Sequence, residues 1–340
     1  MTSVTPVATP VRQRSTPGVL RSPVPRLVGR RLLAAIPVLW GVTLLTFLVV
    51  EALPGSAAQQ LLGPNATPEQ VQQLSEQLGT DRSMVVRYLD WLGGVVTGDL
   101  GESLSDGRSV TSVIGSALGV SAELVLLALV VSLALTVPVA LLAARKPGGV
   151  WDRVSMGVSM AGLSIANYVL ALVLVWVFAV QLAVLPAIGF VPIGDGIGQN
   201  LRSLVLPAIA IGFPLFCFYT RLLRADILEQ MQSQDYVTTA RAKGVGPWRV
   251  LTRHAFRNSL FGLLTIVGLN LGTLIGATVI IEQIFALPGV GRELLQAISN
   301  RNIPVIEGIV LVFAVVVVVA NLITDLLYAV LDPRVRHGST

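Results

Sequence analysis

Six long runs of apolar residues constrain this chain more than any other feature of its sequence. Each run is about 20 residues or longer, which is the length that an α-helix needs to cross a bilayer. The runs occupy residues 32–53, 118–143, 154–180, 203–223, 259–281 and 305–331. Only 13% of the 340 residues are charged, whereas about a quarter are charged in a typical soluble domain. The sequence therefore predicts an all-α integral membrane protein with six transmembrane helices.

The first apolar run has some features of a secretory signal, because arginines precede it and the small residues at 56–58 follow it. It is longer than the apolar part of a signal peptide, about 7–15 residues, and five more runs come after it. We therefore expect an uncleaved first transmembrane helix at 27–53. The segment at 54–117 follows it, and the remaining five helices form a transmembrane core at 118–331.

The positions of the basic residues predict the orientation, because Lys and Arg accumulate on the cytoplasmic side of membrane proteins. Eighteen of the 24 Lys and Arg residues lie before the first run, after the last run, or in and beside the loops at 144–153 and 224–258. We therefore expect both termini and both loops to be cytoplasmic, with 54–117 on the opposite side.

The two ends of the chain are predicted to be cytoplasmic tails. The first 25 residues contain five prolines and no acidic residue, a composition that cannot bury a core, so 1–26 is expected to be a disordered basic tail. Residues 332–340 form the second tail.

The extracytoplasmic segment 54–117 is predicted to contain two short helices. A capping box at 67–70, with proline at the first helical position, opens the first helix, which stops at Gly79. Met84, Tyr88 and Leu92 recur every four residues and indicate the second. The segment is too small to fold alone, so we expect a small helical cap with a charged surface.

The cytoplasmic loop at 226–258 carries a second distinctive pattern. Asp235 can cap a short helix, and Gly244 supplies the left-handed residue that ends it. The residues at helical spacing between them are Tyr236, Thr239, Ala240 and Lys243. Pro247 then starts a second, basic helix. Such a short helix is either a docking element for a partner or a simple turn between two spans, and periodicity leaves both open.

Small and polar residues in the fifth run predict two different faces of one helix. Gly268, Gly272 and Gly276 lie four residues apart, a pattern that permits close helix packing. At 100° per residue, Asn270 and Thr273 lie roughly opposite the glycines. These two side chains either line a path for a solute or bond to neighbouring helices.

Ionisable residues inside membrane helices are costly, so each is a functional hypothesis. Glu123 and Glu282 lie near the outer ends of their helices, where water reaches them, and Asn167 lies in the third run. These three complete the set of candidate pathway residues. Asp325, near the inner end of the sixth run, is expected to anchor Arg334 or a neighbouring helix.

The stretch DYVTTARAKGVGPWRVLTRHAFRNSL, at 235–260, resembles the coupling loop of permease subunits in binding-protein-dependent ABC importers, specifically the dipeptide and oligopeptide family. Thr238, Thr239 and Ala240 take the places of Glu-Ala-Ala in the general importer pattern, and Gly244 takes the place of its glycine. The same family is resembled by RRLLAAIPVLWGVTLLTFLVVEALPG, YLDWLGGVVTGDLGESL, EQIFALPGVGRELLQAI and NLITDLLYAVLDPRVR.

This resemblance implies a multi-pass permease in the bacterial cytoplasmic (inner) membrane. It implies four partners besides the lipid bilayer, namely a homologous second permease, two cytoplasmic ATPases and an extracytoplasmic substrate-binding protein, and no nucleic acid. The short helix from Asp235 to Gly244 would then be the coupling helix to the ATPases. Similar permeases carry dipeptides, longer peptides, chelated metals and glutathione-like compounds, so the solute stays open.

The chain has no sequence motif for ATP hydrolysis or metal chemistry. A phosphate-binding loop requires Gly-Lys followed by Ser or Thr, and neither Lys146 nor Lys243 follows a glycine. The two histidines, His254 and His337, have no second metal ligand nearby. We therefore expect no catalytic residue, metal or cofactor in this chain, with ATP and Mg bound by the partner ATPases.

Two other classes of protein compete with the importer permease. A stand-alone ion- or proton-coupled secondary carrier would work through Glu123 and Asp325, but the sequence has no convincing inverted repeat. A membrane-embedded enzyme would need a nucleophile or a metal site, and the sequence offers neither. Transport or activity without any partner would distinguish both from a permease.

Overall fold

The computed structural model describes residues 24–52, 57–63, 65–233 and 235–331. Its α-helices are α1 Val24–Glu51, α2 Ala57–Leu62, α3 Pro68–Gln77, α4 Met84–Thr97, α5 Val110–Arg145, α6 Val150–Ser164, α7 Asn167–Leu174, α8 Ile197–Ser233, α9 Asp235–Ala242, α10 Pro247–Val250, α11 Phe256–Ile284, α12 Val290–Ser299 and α13 Ile303–Leu331. Across these residues the regular structure is helical, apart from one isolated bridge between Glu102 and Ser109. The predicted all-α fold is confirmed, whereas most of the predicted tail at 1–26 and all of 332–340 lie outside the described residues.

Five helical stretches are long and apolar enough to cross a membrane. They are Val28–Glu51, Val110–Arg145, Ile197–Gln232, Pro247–Ile284 and Ile303–Leu326. The remaining predicted run, 154–180, is not one continuous helix, because α6 and the helical stretch that begins with α7 meet at an angle of 101°. The described part of the chain thus contains five candidate spans, or six if the bent pair crosses the membrane as one.

The break between α6 and α7 occurs without a proline. Ile165 and Ala166 adopt extended backbone angles, and the hydroxyl of Ser164 donates to the carbonyl of Met160. The carbonyl of Ala166 accepts the N–H groups of Val169 and Leu170, so a new helix starts there. Apolar periodicity continues across the two residues, which explains why the sequence predicts one span.

The centre of the molecule is formed by α5 and α8, which pack along much of their length. Leu124 and Ala128 on α5 are fully buried against this partner, as are Leu204 and Ala208 on α8. At Gly212 a Cβ atom would lie 2.8 Å from the carbonyl oxygen of Ala128. Small residues are therefore required where the two backbones approach each other.

The predicted glycine face of α11 packs against α13 over part of its length. A Cβ atom on Gly268 would collide with Thr324, and one on Gly272 would lie 3.3 Å from Val317. Gly276 differs from the prediction, because it is exposed and a Cβ there would meet nothing within 4 Å. The close approach thus involves two of the three glycines.

The segment after α1 forms the two predicted helices, α3 and α4, together with the short α2. The capping box is present, since the N–H of Thr67 donates to Gln70 Oε1 (3.0 Å) and the N–H of Gln70 donates to Thr67 Oγ1 (3.3 Å). Tyr88 of α4 is buried against α1, where its hydroxyl lies 3.0 Å from Thr43 Oγ1 and its ring packs edge-on against Phe47. We refer to 57–109 as the cap.

The last part of the cap is tied to the connection between α12 and α13. Asn302 donates from Nδ2 to Ser103 Oγ (2.9 Å) and accepts at Oδ1 from the N–H of Leu104 (3.1 Å). In the same loop, side-chain hydrogen bonds with Ser103 and Arg108 lower the pKa of Asp106. The last part of the cap has few apolar side chains to pack, so these polar contacts hold it in place.

Candidate functional site

Three of the predicted pathway residues line one cavity among α6, α7, α8 and α11. The cavity has a volume of about 390 Å³. Its polar side chains are Asn167, Asn270 and Thr273. The other lining residues are apolar: Leu163, Ile165, Ile211, Pro214, Leu215, Phe218, Leu274 and Ala277. We call this space the central cavity.

The helix break and the polar residues together shape the central cavity. Because α7 begins at Asn167, the break between α6 and α7 brings this amide to the cavity wall. On the facing helix, Asn270 Nδ2 donates to the hydroxyl of Tyr219 (3.3 Å), which orients the amide. Thr273 is exposed, with its hydroxyl donating to the carbonyl of Asn270 (2.8 Å). Amide and hydroxyl groups on apolar walls suit a polar, uncharged group of a solute.

Glu282 differs from the prediction that water reaches it. Its side chain is fully buried and does not line the central cavity. Its carboxylate accepts hydrogen bonds from Ser121 Oγ (2.7 Å) and from the N–H groups of Gly291 (2.8 Å) and Arg292 (3.1 Å). The N–H groups at the start of a helix lack partners within that helix, so Glu282 caps α12 and fixes it to α5 and α11.

The other predicted ionisable residues also lie outside the central cavity. Glu123 is half-buried on α5 and does not line it. Asp325 binds Arg31 of the neighbouring helix α1, with 2.7 Å between Oδ2 and Nε. That anchor is one of the two predicted for Asp325; the other, Arg334, lies outside the described residues.

The predicted coupling helix is present as α9, and its orientation corrects the predicted face. Val237 and Ala240 point inward and pack with Val250 of α10. Val237 exposes only 1% of its surface and Ala240 only 7%. Ala240 is therefore not available for docking. The residues exposed on the outer side are Asp235, Thr238, Thr239 and Ala242, at helical spacing. We call this set the outer face of α9.

The remaining predicted coupling residues hold α9 in place or lie at its end. Asp235 is the first helical residue rather than a residue before the helix. The hydroxyl of Tyr236 lies 2.6 Å from Gln230 Oε1 on α8. Lys243 is exposed, and Gly244 has φ +75°, the left-handed conformation predicted for it. A residue with a side chain would be strained there.

The sequence interpretation missed two contacts between helices, one that links α6 to α8 and one that links α5 to α10 in the loop 226–258. Asp152, at the start of α6, is buried, forms an ion pair with the half-buried Arg224 of α8 and accepts the N–H of Gly148 (2.7 Å). Arg145, at the end of α5, stacks over the ring of Trp248 at 5.6 Å. The sequence signal for the ion pair is a single acidic residue, Asp152, at the start of an apolar helix. Its partner Arg224 is 72 positions away, so the pairing could not be read from the sequence.

Comparison with known proteins identifies the family. The family model for the binding-protein-dependent transport system inner membrane component matches residues 136–337. The model for the N-terminal part of such membrane components matches residues 24–140. The chain belongs to this family. The two matches together cover α1 to α13, including the central cavity and α9.

Several similar proteins are permeases of peptide transport systems. The dipeptide transport system permease protein DppB of Alkalihalophilus pseudofirmus is 36% identical over 91% of this chain and 98% of its own length. The oligopeptide transport system permease protein AppB of Bacillus subtilis and the di/tripeptide transport system permease protein DppB of Pseudomonas aeruginosa are each 35% identical, over the same shares.

The family assignment decides between the competing interpretations. The chain is an inner-membrane permease subunit of a binding-protein-dependent ABC importer, as predicted, rather than a stand-alone secondary carrier. Such a permease works with ATPase and substrate-binding partners. The family and the apolar helices also confirm a multi-pass inner-membrane protein.

Proposed function

We propose that this chain forms one half of the translocation path of an ATP-driven peptide importer. The peptide cargo is supported by the similar permeases named for dipeptides, di/tripeptides and oligopeptides. It is also supported by the central cavity, whose amides and hydroxyl suit the N–H and C=O groups of a peptide backbone. A volume of about 390 Å³ is at the smaller end of known ligand sites, and a homologous second permease would supply the other half.

The proposed topology has six spans, with α6 and α7 crossing as one bent span. Both termini are cytoplasmic and the cap is extracytoplasmic, where it faces the substrate-binding protein. The accumulation of Lys and Arg in the first, third, fifth and last segments between spans supports this orientation.

The observation that carries the proposed mechanism is that both helices flanking α9 also line the central cavity. Upstream, α8 runs without interruption from the cavity residues Ile211 and Phe218 to Ser233, just before α9 begins. Downstream, α10 leads through a π-helical turn, Leu251–Ala255, into α11, which carries Asn270 and Thr273. A displacement of α9 therefore moves two cavity walls.

The contacts of α9 make it suitable for transmitting force. Tyr236 bonds to Gln230, and Arg241 donates to the carbonyl of Met231 (3.3 Å), so α9 is fixed to α8 at both ends. The buried side chains of Val237 and Ala240 fix it to α10. We propose that its outer face sits in a groove on one of the two ATPases, which bind ATP and Mg. Closure of the ATPase pair then shifts the permease between inward-open and outward-open states.

The test places one charge on the outer face of α9. In Ala242→Glu the new carboxylate is solvated in the free permease, so folding and membrane insertion should be unaffected. An unpaired charge buried at an interface costs about 2–5 kcal/mol, so ATPase affinity should fall at least about thirtyfold. ATPase retention on purification and alanyl-alanine-stimulated hydrolysis would be measured in reconstituted vesicles.

The matched control is Gln232→Glu, which adds the same charge at an exposed position of α8 and should leave both measurements unchanged. If Ala242→Glu retains the ATPases and the stimulated hydrolysis of the wild type, the outer face of α9 is not the docking surface. If ATPases bind normally but no peptide stimulates hydrolysis in the wild type, the coupling assignment survives and the peptide assignment does not.

A further inference from the structure

A second cavity, of about 360 Å³, lies between the cap and the beginning of α13. It shares no residue with the central cavity. Phe47 of α1, Trp91 of α4 and Ile303 of α13 contribute to its apolar walls, together with Leu78 and Leu104. The other half of the lining is polar or charged, including Glu76, Arg82, Arg87, Asp90 and Glu307. We call this space the cap cavity.

The cap cavity contains a carboxyl group without a hydrogen-bond partner. Glu307, in the second turn of α13, exposes only 5% of its surface, and its Oε1 atom is buried without a partner among the described residues. A buried carboxylate is costly unless a positive group or hydrogen-bond donors compensate it. Native structures rarely leave such a group without a partner, which makes Glu307 the group that a ligand would satisfy.

Neither arginine that lines the cap cavity forms its ion pair with Glu307. Arg82 pairs with Asp90, with 3.4 Å between Nη1 and Oδ2. Arg87 pairs with Glu51, with 3.0 Å between Nη1 and Oε2. Both arginines are thus already paired with other carboxylates. Glu307 therefore has no ion-pair partner of its own among the described residues.

The oxygen ligands that the cavity offers favour an organic ammonium ion over calcium or magnesium. Calcium needs six to eight oxygen ligands and magnesium near-octahedral coordination, whereas the other unpaired lining carboxylate, Glu76, is solvent-exposed and accepts from Gln72 (3.2 Å). No group of three or more His, Cys, Asp or Glu suited to a metal occurs in the described part of the chain. An ammonium group needs few hydrogen-bond acceptors. The alkyl part of such an amine can pack against Leu104 and Ile303.

Trp91 provides a second feature of this site. It lines the cavity, and one face of its ring stacks on Tyr88, with 6.3 Å between the ring centroids. The face of an indole ring also attracts a cation. A buried carboxyl group and an indole ring in one cavity therefore suit a cationic amine better than an anion.

We propose that the cap cavity binds the primary ammonium group of a small solute, with Glu307 as the counter-ion and Trp91 as part of the wall. The site is separate from the translocation path and from α9. The inference goes beyond the proposed function, because it does not depend on the transported solute being a peptide.

The test compares n-butylammonium with butan-1-ol, a neutral molecule of similar size, on the full chain in lipid nanodiscs. Ligand-detected NMR titrations would give both dissociation constants, with empty nanodiscs subtracted. Hydrogen bonds to charged groups contribute about 1.5–3 kcal/mol, so the amine should bind at least about tenfold more tightly than the alcohol. This comparison uses the wild-type chain and needs no variant to fold.

Variants then assign the effect to Glu307. Glu307→Gln should weaken amine binding at least about tenfold and leave alcohol binding unchanged, whereas Glu69→Gln, at an exposed position of the cap, should change neither. Equal binding of amine and alcohol to the wild type would overturn the proposal and indicate a protonated carboxyl in a cavity that holds water. Equal amine binding to the wild type and to a folded Glu307→Gln would also overturn it.

Discussion

Replacing Glu282 by alanine should destabilise the permease strongly, although the residue touches no solute cavity described above. The substitution removes the acceptor of three hydrogen bonds, from Ser121 Oγ and from the N–H groups of Gly291 and Arg292. Leaving one buried donor unsatisfied costs about 1–3 kcal/mol, and three donors lose their acceptor in this variant. We therefore expect a loss of about 3–5 kcal/mol. At about 2 °C per kcal/mol for a large domain, the midpoint of thermal unfolding should fall by about 6–10 °C.

The chain contains its own reporter for this measurement. Cys217 is the single cysteine of the sequence and is fully buried, so a thiol-reactive dye should label it only as the helices separate during heating. The matched control is Glu293→Ala, because Glu293 is a half-buried carboxylate of the same helix α12. Its change should stay below about 1 kcal/mol, the size of a helix-terminal charge effect.

An unfolding midpoint for Glu282→Ala within about 2 °C of that for Glu293→Ala would refute the capping argument. Gly291→Ala provides an independent perturbation of the same contact. Its Cβ would lie 2.5 Å from Val279 Cα and 2.9 Å from Glu282 Oε2, so it should also lower the midpoint while the carboxylate remains present.

Three further predictions concern packing, transport and topology. Gly272→Leu should impair folding because its side chain would be forced against α13, whereas Gly276→Leu should be tolerated because that position is open; gel filtration of the purified variants distinguishes the two outcomes. Asn270→Leu removes an amide from the central cavity, so peptide uptake into vesicles should fall at least about fivefold, the effect of one lost hydrogen bond of about 1 kcal/mol. Assembly with the ATPases should be retained, and unchanged uptake would show that the amide does not line the path. Gln73 and Gln232 are both exposed, so each can be replaced by cysteine in a background without the native cysteine. A membrane-impermeant maleimide should label Gln73→Cys in intact cells and Gln232→Cys only after permeabilisation. The reverse pattern would invert the proposed topology.

The local elements of the cap and of the coupling loop were predictable because their determinants are close together in the sequence. The capping box at 67–70 needs only a side chain and a backbone group three residues apart, and it is present as predicted. The left-handed conformation of Gly244 likewise follows from its position at the end of α9. The inward direction of Ala240 was not predictable, because it depends on Val250 of the next helix. Helical spacing gives the residues that share a face, but not the surface that covers that face.

The sequence by itself determined the helical membrane class and the location of five continuous spans, because apolar length is a property of each segment and needs no partner. The family resemblance in the coupling loop also lies in the sequence alone. Only the tertiary structure decided that α6 and α7 form a bent pair, that Asn167 and Asn270 line one cavity, and that Glu282 caps α12 while Glu307 lies without a hydrogen-bond partner in the cap cavity. The physical reason is that the groups surrounding such a polar side chain in an apolar helix come largely from other helices. Those groups are set by how the helices pack, and not by their distance along the chain.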